Sequence, residues 1–209
     1  MKLKFIAATA ALLMAGSAQA AVVTFTTPIA VPNNFDGVYI NFLTGATGIT
    51  ASSVPGWDFN PYATAAGLSF FWSATPTAGG GVASSTTGPY LNLAPGAVVS
   101  SASTFAAVTA TTATAAFQTT GTHVLGFRFY NEATSAVNYG YLTMTNTAST
   151  GFPATITGWS FENTGAAITV GGASAAVPEP ATWGMMILGF GMIGAAARSR
   201  KVRTTVKFA

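Results

Sequence analysis

Pro-, Gly- and Asn-rich breakers divide the chain between Ala21 and Val170 into short runs. Those runs are rich in Thr, Ser, Gly, Ala and aromatics and poor in Leu, Glu, Lys and Gln. That composition favours strands over helices. The breakers are Pro32-Asn33-Asn34, Val54-Pro55-Gly56, Gly79-Gly80-Gly81, Gly88-Pro89, Pro95-Gly96 and Gly151-Phe152-Pro153. Between them the expected strands are Val22–Thr26, Val38–Leu43, Leu68–Trp72, Val98–Phe105, His123–Tyr130, Tyr139–Asn146, Ile156–Phe161 and Ala167–Val170. Many short strands with regular turn signals predict one all-β domain, a two-sheet sandwich or jelly roll. No fixed-period repeat is visible, which argues against a β-helix or propeller. Ser101 to Thr120 is ambiguous: its alanines allow a helix, its threonines favour extended chain, and extended chain is the expectation.

Charge sits at the ends. Lys2 and Lys4 open the chain, and Arg198, Arg200, Lys201, Arg203 and Lys207 close it. From Ala21 to Val177 there is one positive charge, Arg128, against Asp36, Asp58, Glu132 and Glu162, a net of −3. A nucleic-acid partner needs a basic surface that displaces phosphate counterions, so that class is excluded for the body. Cysteine is absent, which removes thiol catalysis, iron–sulfur clusters and every cysteine-containing zinc pattern.

Residues 1–20 have the plan of a secretory signal peptide. Lys2 and Lys4 form the positive region, Phe5 to Ala15 the apolar stretch, and Ala18-Gln19-Ala20 the small-residue cleavage site, with cut between Ala20 and Ala21. At the other end, Pro178-Glu179-Pro180 and Trp183 precede an apolar segment, residues 183–197, and a basic tail, residues 198–209. As a helix the apolar segment would be roughly 22 Å long at about 1.5 Å per residue. That is shorter than a hydrocarbon core of about 30 Å, so snorkelling stems and local thinning would have to help it span. The basic cluster of Arg198, Arg200, Lys201 and Arg203 places the tail in the cytoplasm and the body outside. Residues 173–177 read as a small-residue linker, giving the plan 1–20 signal, 21–172 β domain, 173–177 linker and 178–203 sorting segment.

Pro178-Glu179-Pro180-x-x-Trp183, a short Gly- and Met-rich helix and an Arg-rich end resemble the PEP-CTERM sorting signal, closest to the variant of sphingomonad-like Proteobacteria. The resemblance implies an exported protein, held transiently at the inner membrane and processed by an exosortase-like enzyme. It further implies a destination at the cell surface or in an exopolysaccharide and biofilm matrix. Gly126-Phe127-Arg128-Phe129 followed by Tyr139-Gly140-Tyr141 is similar, more loosely, to the β-sandwich body of many proteins bearing this tail. That likeness implies no activity.

Catalytic chemistry has few candidates. His123 is the only histidine, so a Ser-His-Asp arrangement would need it with Asp36 or Asp58, and no G-x-S-x-G elbow is present. A paired-carboxylate hydrolase would draw two acids from Asp36, Asp58, Glu132 and Glu162, and nothing in the sequence places two together. No enzyme activity and no cofactor are expected. Calcium is the one cation considered, through Asn33-Asn34-Phe35-Asp36 and Asp58-Phe59-Asn60, although neither stretch has an EF-hand pattern. Arg128 lies between Phe127 and Phe129 and is expected on the opposite strand face, paired with Glu132 or Glu162 or with a loop. Trp57, Asp58, Asn60 and Tyr62 combine ring faces with hydrogen-bonding groups in an expected loop, the candidate carbohydrate contact. The expected role is a structural or interaction protein, with a lectin-like carbohydrate-binding module as the alternative and a secreted hydrolase behind both.

Overall fold

A computed structural model describes residues 21–74, 79–172 and 187–193. The signal segment, Ala20, the linker, Pro178, Glu179, Pro180, Trp183, Arg198, Arg200, Lys201 and Arg203 lie outside the described residues. Of the apolar segment 183–197, residues 187–193 are described and are helical; among the described residues no helix is long and apolar enough to cross a membrane.

The β body runs through strands β1 (Val22–Phe25), β2 (Ile29–Val31), β3 (Tyr39–Ile40), β4 (Thr47–Gly48), β5 (Phe59–Thr64), β6 (Gly67–Trp72) and β7 (Gly80–Val82). It continues through β8 (Val98–Val99), β9 (Phe105–Ala106), β10 (Gly121–Asn131), β11 (Ala136–Asn146), β12 (Ala154–Glu162) and β13 (Ile168–Thr169). The fold is mostly β, antiparallel and sandwich-like. A seven-stranded sheet has the order β1-β12-β11-β10-β7-β9, with β2 also on β12; a four-stranded sheet has the order β4-β3-β5-β6; β8 and β13 form a ribbon.

Period-2 alternation explains how the sheets face each other. Leu125, Phe127 and Phe129 of β10 point inward with Leu142 and Met144 of β11 and Trp159 and Phe161 of β12. They meet Ile40, Phe59, Leu68, Phe70 and Trp72 of the smaller sheet in one core. Phe42 sits at its centre, with its ring stacked on Phe127 at 3.9 Å and on Phe59 at 5.8 Å. Gly140 stands opposite Phe127 because a Cβ there would run into the Phe127 ring and the Ser160 carbonyl.

The other face of the large sheet is also covered. Val82, Val99, Phe105, Tyr139, Ile168 and Val170 form a second apolar cluster beneath the β8–β13 ribbon. Gly126 faces this layer, where a Cβ would come within 2.7 Å of Leu93 and 2.8 Å of Val82 and Val99. The large sheet is therefore packed on both sides. The smaller sheet carries exposed aromatics on the side away from the core.

Several local expectations are corrected. The run Val98–Phe105 is not one strand: β8 and β9 belong to different sheets, separated by the Ser100–Ser103 turn, where Ser103 N–H donates to Ser100 O at 3.0 Å. Ser101 to Thr120 is not simply extended, since Thr111–Phe117 form a 3₁₀ helix that buries Ala113, Thr114 and Phe117. The Trp57–Tyr62 stretch is not wholly a loop, because β5 begins at Phe59.

Candidate functional site

Strand β5 decides what its neighbouring side chains can do. Phe59 pairs with Trp72 and Pro61 with Phe70 on the core side, so Asn60 opposite Phe71 and Tyr62 opposite Ser69 lie on the outer side. Tyr39 precedes Ile40, which pairs with Phe59, so Tyr39 shares that outer side.

Trp57 lies across this surface. Its ring meets Tyr39 at 4.9 Å, edge to face, and Phe71 at 5.4 Å with 33° between the planes. Tyr39 and Phe71 belong to the two strands that flank β5, so the indole spans the strand between them. Asn60 is correspondingly buried, and its amide donates to the Asp36 carbonyl at 2.9 Å. Beside this group Phe35, 78% exposed, stands edge-on to Tyr62 at 5.6 Å.

The four candidate carbohydrate contacts thus divide. Trp57 and Tyr62 are partly exposed on one surface with Phe35, Tyr39 and Phe71. Asn60 is spent beneath them. Asp58 is buried, and its Oδ2 accepts the Phe42 N–H at 2.8 Å. Burial pushes the Asp58 carboxyl up to about 8; the Phe42 hydrogen bond opposes the shift and the charge of Glu132 adds to it. Sequence reasoning missed Tyr39 and Phe71, because their neighbourhood with Trp57 comes from strand register across the sheet, and Phe35, which reaches Tyr62 from the bend between β2 and β3.

The remaining candidates are structural in their contacts. His123 is buried, with Nε2 2.8 Å from the Thr119 carbonyl and Nδ1 3.2 Å from the Asn92 amide, so both ring nitrogens are engaged. Asn34 Oδ1 accepts the Gly37 N–H at 2.9 Å, and Asp36 is exposed. Glu162 folds the turn after β12, accepting from Thr164 N–H at 3.0 Å, Thr164 O–H at 2.8 Å and Ala166 N–H at 2.6 Å.

Arg128 is on the outer face of β10, as alternation requires, but pairs with neither glutamate expected for it. Its register partners are Gly80 and Tyr139, and Glu162 lies opposite Tyr139 one strand further on. Two strand spacings of about 4.8 Å each separate the two positions, and the Glu162 carboxylate is already committed to its turn. The guanidinium instead lies over Phe105, with Cζ 4.9 Å from the ring centroid, and its buried Nε has no hydrogen-bond partner.

The C-terminal segment supplies the other functional observation. Residues 176–201 match the PEP-CTERM protein-sorting motif. The PEP-CTERM motif implies an exported, membrane-sorted chain that exosortase processes. No curated protein and no solved structure gave a significant match to the chain. The PEP-CTERM assignment therefore speaks for the sorting segment, and the body has to be read from its own geometry.

Proposed function

We propose that this chain is an exported, exosortase-processed structural or interaction component of the cell surface or of an exopolysaccharide matrix. The sorting motif at residues 176–201 carries the reading. The tail holds the precursor at the inner membrane with the β body outside the cytoplasm, and processing near Pro178-Glu179-Pro180 delivers the body to the surface or matrix. Trp183 makes the motif a PEPxxW form.

The role is binding or architecture rather than catalysis. In support, the single histidine has both ring nitrogens committed to neighbours, and Glu162 is committed to a turn. A carbohydrate-binding role is the second reading, favoured by the partly exposed aromatics around Trp57. Fractionation with one antibody to the body and one to residues 198–209 tests the proposal. Mature protein outside the cell that carries the body and lacks the tail supports it; a tail that stays attached in the membrane fraction defeats it.

A further inference from the structure

We propose that the outer aromatic face of the four-stranded sheet, formed by Trp57, Phe71, Tyr39, Tyr62 and Phe35, binds a neutral polysaccharide chain. The inference rests on the reading of the body as a surface interaction module and gives that module a ligand class.

The first support is the placement of the rings. The Trp57 and Phe71 planes meet at 33° with centroids 5.4 Å apart, and Phe71 is 40% exposed, so the two present adjoining apolar faces. Tyr62 and Phe35 continue the aromatic surface along β5, Phe35 being 78% exposed. A sugar ring has an apolar face of C–H groups that stacks on the electron-rich face of an aromatic ring, leaving its hydroxyls at the margin.

The second support is the polar groups left over. Trp72 donates its indole N–H to the Tyr90 hydroxyl at 2.9 Å, and Trp159 donates to the Phe42 carbonyl at 3.0 Å. Trp57 gives its N–H to no described residue, and the Tyr39 and Tyr62 hydroxyls likewise have no described hydrogen-bond partner. Rings with free donors at their edges suit a ligand that is apolar on one face and hydroxylated around it. A lipid or a purely apolar protein surface would leave those donors unpaired, at a cost.

Charge selects among polysaccharides. Arg128 is the only basic residue between Lys4 and Arg198, and it belongs to the other sheet, over Phe105. The charged residues near the aromatic face are acids: Asp36, whose carbonyl holds Asn60, and Glu132, whose carboxylate lies near Gly56, next to Trp57. An anionic polymer would meet like charge and no counter-charge, so a neutral chain is the complementary partner. Stacking on successive sugar units is weak per contact and gains through repetition along the polymer.

The test uses the full chain expressed with its own signal and tail, recovered from the cell surface or medium and passed over cellulose, β-1,3-glucan, dextran and alginate. Retention on at least one neutral polymer, unchanged by added salt, is expected. Trp57→Ala and Phe71→Ala should each weaken it at least tenfold, and Phe35→Ala several-fold. Phe35 is exposed, so that third variant keeps the test valid if a larger truncation unfolds. Val98→Thr, at an exposed apolar position on β8, should leave retention unchanged. Absence of retention on all three neutral polymers overturns the proposal. So does salt-sensitive binding to alginate alone, retention undiminished in all three aromatic variants, or self-association in sedimentation that Trp57→Ala abolishes. Failure of export appears separately, as body antigen confined to the cytoplasm; that cytoplasmic protein is then passed over the same four polymers, so the binding result stays readable.

Discussion

The Asp58 carboxyl accepts the backbone N–H of Phe42 at 2.8 Å, joining the start of β5 to the residue whose ring stacks on Phe127. Because burial pushes the carboxyl up to about 8, the folded protein keeps a proton that the unfolded chain releases near its ordinary value of 3.8. The native state then binds more protons than the unfolded state throughout that window. The contribution of Asp58 to stability is therefore full below pH 3.8, declines as pH rises, and is lost above pH 8. The steepest slope it can give is about 1.4 kcal/mol per pH unit. Denaturant titrations from acid to alkaline pH should show the decline. Asp58→Asn, which keeps an acceptor for Phe42, should flatten it and be more stable than the parent above pH 8. An unchanged slope in Asp58→Asn would remove this carboxyl as the cause.

Phe42 is the ring on which the two sheets meet. It touches Phe59 on one side and Phe127, Phe129 and Trp159 on the other. Phe42→Ala should cost about 3–5 kcal/mol of unfolding free energy, because both sheets lose the same packing partner. Gly140→Ala should cost about 1–3 kcal/mol for the opposite reason, a methyl forced against the Phe127 ring. Urea unfolding midpoints measure both, and a Gly140→Ala variant as stable as the parent would mean that both the Phe127 ring and the Ser160 carbonyl give way to the methyl.

Arg128 makes a different prediction. Its Nε is buried without a partner, and leaving such a donor unsatisfied costs about 1–3 kcal/mol. Arg128→Met keeps the long stem against Phe105 and removes the donor, so it should be neutral or stabilising by about 1 kcal/mol. A loss of more than about 2 kcal/mol, well outside the neutral range for surface or compensated changes, would show that the ring contact outweighs the buried donor.

The long strands were legible because their apolar alternation is local. Phe127 and Phe129 flank Arg128, and the β10–β11–β12 meander follows in chain order. Long-range register was not. The Trp57–Tyr62 stretch, expected as a loop, places Pro61 inside β5, where its carbonyl accepts the Val38 N–H at 3.2 Å. In an antiparallel strand the N and C=O of a residue face the same neighbour, so the missing proline N–H lies on the Val38 side and the ladder to β6 keeps its bonds. The Gly79-Gly80-Gly81 breaker became β7 because Gly81, opposite Phe127, leaves room for Tyr90 and Leu125. The aromatic face failed to show in sequence for the same reason. Tyr39, Trp57 and Phe71 are far apart in the chain, and only pairing across β5 brings them together.

The sorting motif gives the last prediction. The residues at the motif, Pro178-Glu179-Pro180, are separated from the last described residue of the body, Gly172, by residues 173–177. Replacing Glu179-Pro180 with Ala-Ala should abolish processing while leaving the body intact. Pulse–chase labelling with antibodies to the body and to residues 198–209 would then show both epitopes on one species that stays with the membrane. The urea midpoint of the body should not move, because the replacement touches none of its strands. Normal release of a tail-free body from the replaced chain would separate processing from the PEP residues and place recognition elsewhere in the matched segment.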